Sequence, residues 1–186
     1  MKKTLLLLLL HFFWTCSLIA QQEFRSKSAF HIAYMGEMVT HPGLSIGYEK
    51  YLNESEKFQI FLRPVMGFYH HYRNNTTFHL NLESGFRRTF KSGFFLEQSM
   101  GIGYFHRFVD GDGNYYIDEN GNVASGGNVG IPFVPFLANA GIGYHIHTSK
   151  INISPFLRPN TYWKLPLNST PNMQFALLAG IIFRLK

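Results

Sequence analysis

The sequence runs to 186 residues, with a formal charge of +6, one cysteine, 17% aromatic and 15% charged residues. That length makes one domain, and basic residues spread singly rather than in a patch argue against nucleic acid as a partner. A charged fraction well below the ~25% of soluble domains argues against an ordinary soluble surface, and one cysteine excludes an internal disulfide framework.

Residues 1–20 read as a secretory signal peptide: Lys2 and Lys3, a leucine run through Trp14, then Ser17-Leu18-Ile19-Ala20 before Gln21. Its apolar part is too short for a retained spanning helix. Cys16 follows Thr15 rather than the small residue of a lipoprotein signal, so it goes with the discarded segment. The mature chain, 21–186, is then one cysteine-free domain. No later stretch approaches the ~20 apolar residues of a membrane helix.

After a polar lead-in to Ser28, eight stretches alternate with a period of two, the signature of strands. They span Ala29–Met38, Leu44–Leu52, Phe58–His70, Thr77–Phe90, Phe94–Phe108, Phe133–Ile146, Ile151–Tyr162 and Met173–Lys186. In each, one phase is apolar (Phe175, Leu177, Ala179, Ile181 and Phe183 in the last) and the other is mixed. The connections after the second, fourth and sixth are short (Asn53–Lys57, Lys91–Gly93, His147–Lys150), and the longest, Val109–Pro132 and Trp163–Asn172, follow the fifth and seventh. Short turns on one side and long loops on the other are the habit of membrane barrels, whose termini and short turns are periplasmic.

The alternation alone does not say which phase faces out, and a soluble lipocalin-like carrier would turn the apolar phase inward. Glycines 47, 85, 101, 103, 141, 143 and 180 all fall on the mixed phase, where a narrow interior needs room. Tyr48, Phe86, Phe90, Tyr144 and Phe183 gather near one set of strand ends, as an interfacial girdle would. The predicted fold is therefore all-β, an eight-stranded antiparallel up-and-down transmembrane β-barrel. Gln98 on the lipid phase, and Pro64, Pro155 and Pro159 inside strands, are its misfits; the prolines predict bulges or strand ends.

On this phase the lumen holds Glu49, Glu83 and Glu97 with Arg63, Arg87, Arg158 and Arg184, alongside His79, Asn81, Asn139 and Asn152. Ions shielded from bulk water need partners, so these side chains predict a salt-bridged plug, with a narrow polar channel as the alternative. In the long loop, Asp110, Asp112, Asn114 and Asp118 resemble the front of an EF-hand calcium loop. Tyr115 stands where that loop turns on glycine, and Gly121 where it has its bidentate glutamate. Calcium is the one cofactor the sequence offers; the pairs His70-His71 and His145-x-His147 read as interfacial histidines.

With GIGY at 101–104 and again at 141–144, and the closing GIIFRLK, the whole mature chain resembles the small eight-stranded outer-membrane barrels, the group of the OmpA barrel, OmpX and OmpW. The resemblance implies an outer-membrane location, surrounding lipid and lipopolysaccharide, barrel-assembly machinery during biogenesis, and a monomer. Many such barrels end on an aromatic residue, whereas here Phe183 stands three residues before the end. Barrels of this size include lipid A acyltransferases and deacylases. His147-Thr148-Ser149 matches the deacylase His-x-Ser pair, but no glutamate follows it, and His41, Asp110 and Ser125 would meet as an acyltransferase set only through loop folding. The expected role is structural or surface-interacting rather than enzymatic, with the 109–132 and 163–172 loops presented to partners.

Overall fold

The computed structural model describes residues 28–55, 57–72, 74–110, 115–125, 130–147, 152–165 and 172–185. The signal segment 1–20 lies outside the described residues. Among the described residues eleven strands follow in order: β1 (Ser28–Glu37), β2 (His41–Glu54), β3 (Phe58–His71), β4 (Asn75–Thr89), β5 (Phe94–Val109), β6 (Tyr115–Ile117), β7 (Val123–Ser125), β8 (Ile131–Tyr144), β9 (Ile146–His147), β10 (Asn152–Leu165) and β11 (Asn172–Leu185). The eight long ones pair antiparallel in the order β1-β2-β3-β4-β5-β8-β10-β11, and β11 pairs back to β1, which closes the barrel and leaves it no edge. β6 and β7 form a separate hairpin within the loop between β5 and β8.

Side chains alternate across the wall as a period of two demands, and the sense is inverted relative to a soluble protein. Glu49, Arg63, Arg87, Glu97 and Arg158 are buried, while Leu80, Met66, Ile102 and Met100 are more than half exposed. An apolar outer surface that wraps the whole barrel is stable only against lipid. Two rings of aromatic residues bound this belt. At the short-turn end Phe30 packs on Tyr48, Phe58 on Phe86 and Phe90 on Phe94; at the other, Phe68 packs on Phe78, Phe78 on Phe108 and Phe136 on Trp163. Along β4, Phe86 and Phe78 are eight residues apart. That is about 26 Å of strand, or about 20 Å of height at the usual tilt, close to the ~25 Å apolar band of outer-membrane barrels. The second ring escapes a sequence reading because its members sit on five different strands.

The structure moves several expected boundaries. β2 starts at His41, β8 at Ile131, and β10 continues to Leu165, so Trp163 and Lys164 are strand residues opposite Phe136 and Pro135 rather than loop. These ends extend past the bilayer because their inward side chains still have the lumen to pack into. The prolines are a second correction: none shifts the register. Pro64, Pro155 and Pro159 each stay paired on one side (with Leu82, Ile181 and Leu177), while the ladder on the other side skips the proline and resumes in the same register. A missing N–H removes a bond without adding a residue. In that register Ser154 faces the break at His145 that separates β8 from β9, and Pro155 the last residue before it, Tyr144. The one register shift in these ladders lies between Tyr51 and Asn53. In the β1–β2 turn, Met38 and Val39 adopt positive φ (47° and 68°), a strained conformation for a β-branched residue.

Candidate functional site

Each lumen residue is set inward by the outward turn of its neighbours: Glu49 lies between exposed Lys50 and lipid-facing Tyr48, and Arg63 between Leu62 and Pro64. Three carboxylates and three guanidiniums meet there, all buried. Arg63 donates to Glu83 through Nη2 (2.7 Å) and Nε (3.1 Å), and through Nη1 to Glu49 (3.0 Å) and Glu97 (3.2 Å). Arg87 donates to Glu97 (2.6 Å) and Glu49 (3.0 Å), and Arg158 Nε donates to Glu97 (2.6 Å). Glu97 thus receives all three arginines. The charges balance, which is the condition for holding ions out of water.

Neutral groups complete the cluster. Asn139 Nδ2 donates to Glu83 (2.9 Å), Ser99 Oγ donates to Glu83 (3.2 Å) and accepts from Arg63 (3.1 Å), and the Tyr51 hydroxyl donates to Glu49 (3.0 Å) and accepts from Arg87 (3.0 Å). Phe61, Phe95 and Phe156 line the guanidinium faces, with Arg63 4.6 Å from the Phe61 centroid, Arg87 4.9 Å from Phe95 and Arg158 4.3 Å from Phe156. Glycine makes the room: a Cβ on Gly141 would meet the Glu97 side chain, and one on Gly47 the ring of His31. Arg184 stands nearer the short-turn end, donating to Gln59 (2.8 Å), 2.9 Å from His145 Nε2 and beside the Tyr51 ring. His79 and Asn81 are buried on β4 and hydrogen-bond each other at 3.2 Å; Asn152 pairs with His147 at the start of β10. Neither Tyr51 nor Ser99 is among the lumen residues named from the sequence, although each sits two residues beyond a lumen glutamate on the same phase.

A second inward site, at the long-loop end, surrounds Lys164. Only 2% exposed, its ammonium donates to the Tyr69 hydroxyl (2.7 Å) and lies 5.3 to 5.8 Å from the ring centroids of Tyr162, Tyr69, Phe105 and Phe133. Glu37 is its nearest carboxylate at 4.0 Å, and that carboxylate also contacts His41 Nδ1, whose ring stacks on His71 at 3.7 Å. Assigning Lys164 to a loop conceals this site, yet Arg158, Asn160, Tyr162 and Lys164 follow one phase.

The loop candidates are not gathered in the same way. Asp118 Oδ1 accepts the backbone N–H of Asn120 (2.9 Å) and of Asn122 (2.8 Å), closing the β6–β7 turn, and these bonds hold its carboxyl below the usual aspartate range. Asp110 donates its backbone N–H to Asn74 (2.8 Å); Asp112 and Asn114 lie outside the described residues. Among the described residues no group of three or more His, Cys, Asp or Glu is arranged to hold a metal. His70 pairs with Thr76, His71 with Asn74 and His145 with Ser154. His147 lies in β9 at the short-turn end, and Thr148 and Ser149 lie outside the described residues.

No family model matches this sequence, and no curated protein matches it either. Solved structures do. Neisserial surface protein A is similar over 85% of this chain and 96% of its own, with a TM-score of 0.54 and 11% identity. Ail, the attachment invasion locus protein of Yersinia pestis, solved with the heparin analogue sucrose octasulfate, is similar over 87% and 100%, with a TM-score of 0.54 and 10% identity. The outer membrane enzyme PagL is similar over 84% and 99%, with a TM-score of 0.50 and 10% identity. At such identities the likeness speaks for the fold alone: the chain is an eight-stranded transmembrane β-barrel of the small outer-membrane type.

Proposed function

We propose that this protein is an outer-membrane barrel with a structural or surface-interaction role, its lumen closed by its own side chains. The carrying observation is the buried set of Glu49, Glu83 and Glu97 against Arg63, Arg87 and Arg158, in which every charge is neutralised by another across the lumen. A permeation path offers an ion unpaired charge or water, and a reaction centre needs a group reachable by substrate; a desolvated, charge-balanced cluster offers neither. The short turns and both termini face the periplasm in this reading, and lipid and lipopolysaccharide surround the belt. Binding is left to the outer loops, where the β6–β7 hairpin presents Tyr115, Ile117 (75% exposed) and Val123 (72% exposed) on a turn fixed by Asp118. The test is planar-bilayer recording of the refolded protein. No discrete steps are expected; steps that persist across preparations, and change in selectivity on Glu49→Gln, overturn the closed-lumen reading in favour of a narrow channel.

A further inference from the structure

The two inward sites differ in charge balance. In the lumen cluster, three carboxylates meet three guanidiniums at 3.2 Å or less. At the long-loop mouth the inward phases of β10 and β5 bring two cations, Lys164 and Arg107, against one carboxylate among the described residues, Glu37 on β1. The ladder sets these groups at one level. Tyr69, Thr77 and Arg107 are rung partners on the consecutive strands β3, β4 and β5, and the Tyr69 hydroxyl is the acceptor for Lys164. Phe133, on the strand between β5 and β10, carries both cations: Arg107 lies 4.7 Å and Lys164 5.8 Å from its centroid.

The one carboxylate is already shared. Its Oε2 contacts His41 Nδ1, and its Oε1 stands 4.0 Å from the Lys164 ammonium, beyond hydrogen-bond length. An ammonium has three N–H donors, and Lys164 uses one, on Tyr69. The four rings around it attract the charge but supply no oxygen. Arg107 makes no ion pair or hydrogen bond among the described residues, and its Nε is buried without a partner. Cationic donors withdrawn from water and exceeding the carboxylate beside them are what a bound anion satisfies. The guanidinium fork selects an oxyanion, which takes two parallel N–H bonds. Arg107 is partly exposed, as are His41 and His71, so the approach is from this side, with buried Lys164 adding its field from beneath. The mouth lies within the ring of strands, whose wall separates it from lipid headgroups.

We propose that the long-loop mouth of the lumen binds a soluble oxyanion of the phosphate or sulfate type, gripped by Arg107 above Lys164. The test is calorimetric titration of the protein, refolded in a phosphate-free maltoside detergent, with inorganic phosphate and with sodium chloride at matched ionic strength. Saturable binding of phosphate is expected, with no such response to chloride. Arg107→Gln weakens it at least about tenfold, and Arg107→Lys, which keeps the charge and loses the fork, weakens it less. Arg88→Gln removes an exposed arginine at the short-turn end and leaves binding unchanged. A band whose mobility changes on boiling shows that each variant is folded, and if Arg107→Gln loses that band the decision passes to Arg107→Lys. No saturable phosphate binding, binding indifferent to both Arg107 variants, or an equal loss on Arg88→Gln overturns the site. A response that appears only when phosphate-bearing lipid is added puts the anion on the outer wall and overturns it too.

Discussion

Arg158 Nε on β10 lies 2.6 Å from Glu97 Oε1 on β5, reaching over the intervening strand β8 at Gly141. Gly141 is the direct ladder partner of Glu97, and any side chain there would occupy the space the glutamate uses. The bond is possible because the position between the two ions is empty of side chain.

Glu97→Gln is therefore the most damaging isosteric change in the lumen. It leaves Arg63, Arg87 and Arg158 sharing two carboxylates, and uncompensated buried charge costs about 3–5 kcal/mol. Urea unfolding in lipid vesicles should show a loss of that order. Arg158→Met added to Glu97→Gln should recover part of it, since the pair is then removed together; a double variant less stable than the single one contradicts the coupling.

How far the sequence carries this picture can be judged residue by residue. The phase of Glu49, Arg63, Glu83, Arg87, Glu97 and Arg158 is legible because a strand has a period of two and the glycines mark the crowded side. Which arginine meets which glutamate is not, because Arg158 and Glu97 sit on non-adjacent strands and their meeting depends on the stagger of the closed sheet. The prolines mislead for a related reason: a missing N–H resembles an interruption in sequence, while both flanking strands keep the register. His41-Pro42-Gly43 likewise reads as a turn, although all three pair with β1.

Lys164 makes a sharper case for the long-loop end. Its donor bond to Tyr69 links residues 95 positions apart, and four aromatic rings surround the ammonium. Lys164→Met keeps the volume and loses the charge, leaving the Tyr69 hydroxyl and Glu37 each short of a partner. A buried bond to a charged group contributes roughly 1.5–3 kcal/mol, and that is the expected loss. Tyr69→Phe in the same background should cost little more, whereas independent effects of the two changes contradict the pairing.

Asp118 gives a local and pH-dependent prediction. Its carboxylate accepts two backbone N–H bonds, which stabilise the anion and lower its folded-state value below the unfolded one. The sign follows: the contribution to the hairpin is fully present above the ordinary aspartate range and is lost as pH falls through the lowered value. Amide exchange at Asn120 and Asn122, corrected for intrinsic rates, should become less protected on acidification and on Asp118→Ala, with the barrel amides unchanged. Added calcium should leave that protection where it is, because the ion would compete with the turn for the same oxygen; an increase in protection would restore the calcium reading of Asp110, Asp112, Asn114 and Asp118.

Trp163 provides the measurement of depth. The sequence holds two tryptophans, Trp14 in the signal segment and Trp163 in β10, so the mature chain reports from one position. The indole faces outward against Phe136 at a ring separation of 6.1 Å, in the girdle at the long-loop end. Tryptophan settles at the headgroup boundary because its ring is apolar and its N–H is not. Emission in vesicles should be blue-shifted from that of the urea-unfolded chain, and quenching by lipids brominated along the acyl chain should be strongest for bromines nearest the headgroup. Moving the probe three outward positions down the same strand, with Leu157→Trp in a Trp163→Phe background, should shift the strongest quenching toward the chain ends. A Trp163 that aqueous iodide quenches as freely as the unfolded chain would return residues 163–165 to the loop and shorten the belt on β10.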